Sequence, residues 1–593
     1  MKVCRKYIAV CIKGFLSLLF FFLLSTYYQL PAHAIVDPLS VPNNKFGIHI
    51  IQATPDESSP AAQLVNTNGD WGYITFLIES KDRNHSKWQE FFNDLRRRHL
   101  IPIVRLATKP LNEHWERPYE GEEEAVADFL NNLNWPVKNR YVVIYNEPNH
   151  GKEWGNSVDA KSYARVLDKT IAALKSKNED FFVMNAGFDA SAPSKPPEFE
   201  DELKFLRQMN EEVSGIFNKL DGWISHSYPN PAFSGSPNAI GRGSIRGWVW
   251  EMQLLRSLGV TKNLPVFITE TGWKHAEGIN HDPSLHKADT VSGYYRIAFE
   301  DIWSSNQIVA VTPFILSYQE TPFDHFSFKK ITGEGQKNRV LGTQFPEYYP
   351  QYQTILDMPK VLGSPAQEHK AQLTKGEIFS SLVANQSYDI FLTFKNTGQS
   401  IWYGPAPDGA GQVVKLVPIQ GGSELGIETQ EMEKGRKIEP GKDYIFHFRI
   451  KAPQSGKIKV VLNLFAEEKE FDSPPFEFET EVKQPVILKI KNSLKWKKYY
   501  SGDYILTVEG AVGESLQKVK IDENGLSDGI EARNLLPDYA FDFTLEKPNY
   551  KAVKVRSRVS AGVNVLDFGE LQPKLLATIV NPKEFWNLLP FSN

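Results

Sequence analysis

Eight short apolar segments, rich in β-branched and aromatic residues, alternate with amphipathic stretches between residues 44 and 345. The segments are 46–51, 73–78, 101–106, 141–145, 181–185, 222–227, 265–269 and 308–317. The stretches 88–100, 162–175 and 249–258 place apolar residues at helical spacing. Continuously apolar strands are typical of parallel sheets that are buried on both faces. The alternation therefore predicts an α/β fold, a (β/α)₈ TIM barrel. A doubly wound open sheet is the alternative, but no glycine-rich phosphate turn follows the first strand.

The pattern changes near residue 345, where prolines punctuate a polar, tyrosine-rich stretch. Beyond it, segments such as 388–394, 444–450, 504–508 and 539–544 alternate apolar and polar residues, and turn residues separate them. Such alternation predicts two all-β sandwich domains. The predicted organisation is a signal peptide at 1–34, a barrel domain at 35–345, a linker at 346–365, sandwiches at 366–483 and 484–580, and a tail at 581–593.

The first 34 residues have the composition of an export signal. Four basic residues within the first 13 positions precede the apolar run 15–24, and the sequence Ala-His-Ala at 32–34 supplies small residues for cleavage. That run is short for the roughly 20 residues that a membrane-spanning helix needs. We expect a secreted or extracellular protein; attachment to a membrane or cell surface through an uncleaved signal is the alternative.

Charge and cysteine content exclude several classes of protein. The chain has 67 Lys and Arg against 71 Asp and Glu, so no basic excess indicates a nucleic-acid partner. Its two cysteines, Cys4 and Cys11, both lie in the predicted signal, which excludes a disulfide scaffold and a thiolate zinc site in the rest of the chain. The sequence contains no Gly-x-Ser-x-Gly, His-Glu-x-x-His or Walker A motif. The local signals of a serine esterase, a zincin protease and a P-loop protein are therefore missing. The two-carboxylate chemistry predicted below requires neither a metal nor an organic cofactor.

Two glutamates directly follow apolar strands. Glu147 comes after the fourth predicted strand, and Glu270 comes after the seventh. Catalytic groups of a (β/α)₈ barrel gather at the carboxyl ends of its strands, and strands three apart lie nearly opposite each other. A single glutamate in this position is more often a solvated loop residue or a helix N-terminal charge. Two of them on opposing strands predict the carboxylate pair that cleaves glycosidic bonds.

The strings Asn-Glu-Pro at 146–148 and Ile-Thr-Glu-Thr-Gly-Trp at 268–273 resemble clan A of the glycoside hydrolases, which are retaining (β/α)₈ enzymes. The resemblance covers roughly residues 44–345 and implies that Glu147 is the acid/base and Glu270 the nucleophile. It also implies that Asn146 donates a hydrogen bond to the sugar 2-hydroxyl. Tyr228, which follows strand six, corresponds to a tyrosine that hydrogen-bonds the nucleophile, and His226 belongs to the same pattern. The alternatives are a packing tyrosine and a core histidine.

Other candidate substrate contacts follow from the same comparison. Many clan members have a tryptophan at the end of strand eight, but this sequence has none there, so Trp273 or Tyr318 is a candidate substitute. Trp154 is a candidate for stacking on a sugar ring, although large barrels also bury tryptophan in their cores. Arg105, at the end of strand three, either contacts substrate or pairs with a carboxylate at the same edge.

The two β-sandwich segments resemble known extracellular modules. The Asn-Thr-Gly…Trp segment at 396–402 resembles immunoglobulin-like domains of bacterial proteins, and the segment 541–569 resembles carboxypeptidase-regulatory-like sandwiches. Such modules act as spacers or bind glycans. Taken together, the sequence predicts an exported bacterial retaining O-glycosidase that acts on a polysaccharide or oligosaccharide. The alternative is a cell-surface adhesin, in which a degenerate barrel binds glycan without cleaving it.

Overall fold

A computed structural model describes residues 35–330, 347–376, 378–406, 411–509, 515–532 and 534–574. The predicted signal at 1–34 and the tail at 581–593 lie outside the described residues. Two compact units divide the chain between Glu368 and His369. Within the described ranges, no helix combines the length and apolar character needed to cross a membrane.

Parallel strands form the centre of the first unit. Its strands are β1 (Gly47–His49), β2 (Gly72–Glu79), β3 (Leu100–Ala107), β4 (Arg140–Val143), β5 (Phe181–Met184), β6 (Trp223–Ser225), β7 (Val266–Ile268) and β8 (Ile308–Val311). Strands β1 to β5 pair in sequence order, and so do β6 to β8. Single parallel bridges join Met184 to Gly222, beside β6, and Phe46, beside β1, to Val311. Every strand lies within an apolar segment of the sequence or extends one residue beyond it; β2 and β3 extend one residue beyond at both ends.

One α-helix follows each of these strands among the described residues. The helices are α1 (Pro55–Asn66), α2 (His85–Arg97), α3 (Glu122–Asn131), α4 (Ala160–Lys177), α5 (Glu202–Glu212), α6 (Gly247–Ser257), α7 (Ala288–Ile297) and α8 (Pro350–Asp357). A π-helical turn, Ala298–Ile302, continues α7. Shorter 3₁₀ turns span Gly151–Glu153, Ile216–Lys219 and Asp324–Phe326, and a small hairpin pairs Pro110–Leu111 with His114–Trp115.

Helix α8 corrects the predicted linker at 346–365. It contacts both α7 and α1, and its residues Tyr352 and Ile355, with Met358 just beyond it, are buried in the core of the first unit. Proline content suggested a linker, but Pro350 stands at the start of the helix, where the missing N–H is not needed.

Two large apolar cores and a smaller cluster of Phe314, Ile315 and Phe326 lie within the described part of the first unit. The larger core lies where strands meet helices. A second core is built from side chains of the strands themselves, and among the residues on β2 to β8 that form it are Tyr73, Ile103, Tyr141, Phe182, Ile224, Phe267 and Val309. Successive strand residues point to opposite faces, so each buried strand supplies both cores.

The second unit consists of strands with alternating burial and two separate apolar cores. The strands around the first core are Ala371–Gly376, Ser381–Val383, Ser387–Asn396, Trp402–Tyr403, Val414–Gln420, Gln430–Glu431, Lys437–Ile438, Asp443–Lys451, Gly456–Ala466, Lys469–Glu470 and Phe476–Lys483, with a short helix at Gly422–Leu425. Those around the second core are Val486–Leu494, Gly502–Glu509, Ser515–Ile521, Ile530–Ala532, Ala540–Glu546, Val553–Arg558 and Gly562–Leu571. Most of the pairings are antiparallel. The alternating sequence pattern correctly predicted a strand-rich region.

Candidate active site

The backbone after β4 turns sharply and carries Glu147 at its bend. Tyr145 (φ 68°) and Glu147 (φ 30°) both have positive φ, a backbone region that costs a non-glycine residue on the order of 1–3 kcal/mol. Hydrogen bonds hold the turn, because Glu147 N donates to Gly187 O (3.1 Å) and His150 N donates to Glu147 O (2.8 Å). The main chain at Glu147 is therefore held by hydrogen bonds from both its N–H and its carbonyl group.

Glu270 lies two residues beyond β7 and is surrounded by hydrogen-bond donors. Arg105 of β3 donates to its Oε1, and the Tyr228 hydroxyl donates to its Oε2 at 3.2 Å. Burial alone would raise the pKa of Glu270, but the charge of His226 and the charge and hydrogen bond of Arg105 outweigh it and hold the pKa at about 2. The carboxylate is thus kept ionised, as a nucleophile must be.

The imidazole of His226 lies between the two glutamates. Its Nδ1 is 2.8 Å from Glu147 Oε1 and 3.8 Å from Glu270 Oε2. Burial tends to lower the pKa of His226, but the two nearby carboxylates raise it above its ordinary value. Each of the three residues supplies one atom that could bind a metal ion, and these three atoms lie within 4.8 Å of one another.

Arg105 and Asn146 form the side of the site that faces β3. Arg105 Nη1 donates to Asn146 Oδ1 at 2.9 Å as well as to Glu270. The sequence left open whether Arg105 contacts substrate or pairs with a carboxylate at the same edge. In the structure it pairs with the Glu270 carboxylate. The Asn146 side chain is consequently oriented with its carbonyl toward Arg105, which leaves its N–H groups to donate elsewhere.

Two further titratable residues at this site were missed by sequence reasoning. His49, at the end of β1, is fully buried and its Nε2 is 4.0 Å from Glu270 Oε1. Burial and the charge of Arg105 lower its pKa to about 3, so the ring is neutral. Glu153, on the turn Gly151–Glu153, has a pKa raised to about 7 by burial and by the Glu147 charge. His49 could have been noticed as a histidine inside the apolar segment 46–51. The spacing of the sequence contained no signal for Glu153.

The structure buries two of the predicted stacking residues. Trp154 and Trp273 are each only 1% exposed. Trp154 packs against Tyr145 and Tyr163, and Trp273 donates its indole N–H to Gly235 O. Neither ring is available to a sugar, so the prediction for both is corrected to a packing role.

Other aromatic residues are accessible instead. Trp115, which the sequence analysis overlooked, is half-buried and lines a pocket of about 70 Å³ together with Arg105, Asn146 and Glu153. Tyr318 is also half-buried. It lines a separate groove of about 430 Å³, whose other lining residues include Gln52, Glu57 and Tyr348. Among the described contacts, none joins Tyr318 to Glu147 or Glu270. Arg105, His226 and Tyr228 do contact these glutamates, and Asn146 is bonded to Arg105.

Comparisons with known proteins gave no match to a family model and no match among curated proteins. Solved structures similar to this chain include a GH128 (subgroup II) endo-β-1,3-glucanase from Sorangium cellulosum, with 13% identity, a TM-score of 0.34, and coverage of 54% of this chain and 98% of that one. A family 39 glycoside hydrolase from Bacteroides cellulosilyticus has 14% identity, a TM-score of 0.35, and coverage of 70% and 82%. A GH26 endo-β-1,4-mannanase catalytic domain from a Bacillus species has 13% identity, a TM-score of 0.35, and coverage of 53% and 85%. These structural neighbours are glycoside hydrolases.

Proposed function

We propose that this chain is a retaining O-glycoside hydrolase, with its active site at the carboxyl ends of a (β/α)₈ barrel of the clan A type. The observation that carries the proposal is the proximity of Glu147 and Glu270: one carboxylate oxygen of each lies within 4.8 Å of the other and of a ring nitrogen of His226. Retaining enzymes hold their two carboxyl groups about 5–5.5 Å apart, whereas inverting enzymes need about 6.5–9.5 Å to admit a water molecule. The short separation supports double displacement.

In the first step, Glu270 attacks the anomeric carbon while Glu147 gives its proton to the departing glycosidic oxygen. The carbon–oxygen bond to the leaving group breaks, and an ester bond to Glu270 forms. Formation of the ester removes the negative charge of Glu270. Arg105 and Tyr228, which bind the two oxygens of the free carboxylate, are placed to hold that carboxylate in one orientation for attack.

In the second step, a water molecule attacks the anomeric carbon of the ester and gives its proton to the Glu147 carboxylate. The ester bond breaks and its electron pair returns to Glu270. His226 contacts both glutamates, so its proton can compensate negative charge on whichever carboxylate is ionised. The transition states of both steps carry positive charge on the sugar ring, and an ionised carboxylate beside the ring stabilises that charge.

We further propose that the protein is exported through its N-terminal segment and that the substrate is a polysaccharide or oligosaccharide. The supporting feature for export is the basic and apolar composition of residues 1–34. For the two strand-rich bodies with cores at 382–482 and 486–571, we propose immunoglobulin-like and carboxypeptidase-regulatory-like modules that act as spacers or bind glycan.

The experiment is a screen of the purified chain against polysaccharides and aryl glycosides, followed by the variants Glu270→Ala and Glu147→Ala. We expect Glu270→Ala to abolish turnover. Glu147→Ala should lose activity on substrates with poor leaving groups, and azide should restore turnover of activated aryl glycosides by taking the place of the water. NMR of the first-formed product should show the anomeric configuration of the substrate.

A matched control is Glu211→Ala, which removes an exposed glutamate from α5 in the same unit and should leave turnover unchanged. Near-normal activity of Glu270→Ala would refute the assignment of the nucleophile. Binding of a glycan from the panel without any cleavage would instead favour the adhesin.

A further inference from the structure

A second histidine, His150, lies on the side of Glu147 that is opposite His226. Its Nδ1 is 3.8 Å from Glu147 Oε2, and its Nε2 is 2.8 Å from Asp189 Oδ2. A neutral imidazole has one N–H and one lone pair, so it would turn a lone pair toward one of these carboxylates. The protonated ring instead presents a donor to both.

The surrounding structure fixes this arrangement. Asp189 Oδ1 accepts a hydrogen bond from Ser191 N at 2.8 Å, and the Asn149 side chain donates to Asp189 O at 3.0 Å. The ring of Phe199 meets that of His150 edge to face, with 4.9 Å between the ring centroids. His150 is therefore held between Asp189 and Glu147 by packing and by backbone hydrogen bonds.

The charged groups around Glu147 and His150 come from every neighbouring element: Arg105 on β3, Glu153 on its own turn, Asp189 after β5, His226 after β6 and Glu270 after β7. The segment at 195–199 also packs against the ring, but the side chains of its charged residues, Lys195 and Glu198, are exposed. Burial alone would lower the pKa of His150, yet Asp189, Glu147 and Glu153 raise it to about 9. The ring carries a positive charge at neutral pH.

We propose that Asp189 and His150 form a positioning pair that keeps a positive charge beside Glu147 Oε2 and thereby makes the acid/base carboxyl a stronger acid. The inference rests on the proposed function and adds a residue pair to it. His226 lies at one oxygen of Glu147 and His150 lies near the other. A positive charge near a carboxyl group favours its ionised form, so removal of the His150 charge should weaken that effect. The pair would thus set the upper pH limit of the first chemical step.

The first test compares pH profiles of kcat/KM for wild type, His150→Gln and Asp189→Asn, on an aryl glycoside that the wild type cleaves. The alkaline limb reports loss of the proton from the free enzyme's acid. Removing the neighbouring positive charge should move that limb upward by about one pH unit, a tenfold change in the acid dissociation constant, while the acid limb stays in place. Asp189→Asn should shift the limb in the same direction, because it lowers the charge on His150 while keeping the shape of the side chain.

The control is His85→Gln, since His85 is exposed on α2 and its ring contacts the Asn132 carbonyl. Its profile should coincide with that of the wild type. A purely structural role for His150 would lower kcat/KM at all pH values without moving one limb. Alkaline limbs of His150→Gln and Asp189→Asn that both coincide with that of the wild type would overturn the inference.

A second measurement does not need turnover. In ¹⁵N-histidine-labelled protein, the His150 signal, identified by its absence in His150→Gln, should titrate at lower pH in Glu147→Gln than in wild type, because a coupling between two protonation equilibria is reciprocal. An unchanged midpoint would overturn the inference. If the chain cleaves no glycoside but the midpoint falls, the proposed function fails while the coupling of His150 to Glu147 stands.

Discussion

The two units of the chain differ in where their charged side chains lie: the first buries some of them, and the second exposes them. In the first unit, Glu270 is 8% exposed and His226 is 3% exposed, and both lie beside Arg105 where the parallel strands end. Among the described residues of the second unit, no Asp, Glu, Lys or Arg is buried. Its charges form pairs on exposed strand faces, such as Arg449 with Asp389. Burying charge requires compensating partners, and the cluster of the first unit supplies them, whereas the surface charges of the second unit are stabilised by water.

Cavity-forming substitutions should separate the two units most strongly. Phe267 of β7 and Phe543 of the second unit are both fully buried, and truncation of either to alanine should lower the free energy of unfolding by about 3–5 kcal/mol. Phe267→Ala should also reduce turnover, because β7 carries Glu270. Phe543→Ala should leave kcat/KM unchanged under native conditions.

Urea unfolding and kinetics on the same preparations provide the measurement. Val565→Ala, at a position 58% exposed in the second unit, is the control and should alter neither quantity. Loss of activity in folded Phe543→Ala would show that the strand-rich unit contributes to catalysis and would break the comparison.

Replacing Arg105 should have the next largest effect. Removal of one preorganised donor from a charged reacting group typically costs about 10²–10³ in rate, so Arg105→Gln should lower kcat/KM by about 100-fold. The lost charge should also raise the pKa of Glu270 from about 2, which moves the acid limb of the profile upward. Arg117→Gln, which alters an exposed pair with Asp159, is a control; equal acid limbs in Arg105→Gln and wild type would contradict the assigned role.

A buried carboxyl pair away from the active site gives the first unit a distinctive pH dependence. Glu202 at the start of α5 is fully buried beside Glu251 of α6. Burial raises the pKa of both, and the Glu251 charge raises that of Glu202 further. Because the folded state binds these protons more tightly than the unfolded state, their contribution is present below about pH 4.3, the ordinary glutamate value, and is lost as pH rises through the folded pKa.

Glu251→Gln removes one ionisable group from this pair while keeping an acceptor for its neighbours. We expect the Tm of the first unit at pH 8 to rise by about 2–4 °C and the difference to vanish near pH 4. Calorimetry at both pH values measures it, with Glu431→Gln, an exposed glutamate of the second unit, as the control. A lower Tm at pH 8 would mean that the ionised pair is stabilising.

The smallest effect belongs to the exposed strand faces. Asp389 contacts Arg449 and His447 in solvent, where ion pairs contribute little because water and salt screen them. Asp389→Asn should therefore change neither Tm nor turnover measurably, by calorimetry and kinetics at two salt concentrations. A clear loss of Tm that salt suppresses would show that these surface charges matter more than burial suggests.

The sequence predicted the strands well because burial on both faces leaves an uninterrupted apolar run. It predicted β8 too long: the run 308–317 stays apolar after Val311, since Phe314, Ile315 and Leu316 are buried without strand pairing. The sequence alone could not distinguish a buried indole ring from an exposed one. Trp154 and Trp273 were therefore candidates for contact with a sugar, although both rings are buried.

The two glutamates could be found because each follows a strand, and the fold determines where strands end. His150 and Asp189 are 39 residues apart and no periodicity connects them. Only the juxtaposition of the segments after β4 and β5 brings them together. The proximity of residues that follow strands could thus be predicted, whereas that of residues carried by irregular turns could not.

Helix α8 determines where this chain can be divided. Beyond the helix, Lys360 donates from its ammonium group to the carbonyl oxygens of Thr67, Ile355, Leu356 and Met358, so the segment is fastened to α1 at its far end. An expression fragment that stops at residue 345 would leave the faces of α1 and α7 that α8 covers open to water, and such a fragment should be recovered as aggregate. A fragment that extends to Glu368 retains the whole helix and its lysine, and is the appropriate unit for crystallisation and for enzymology.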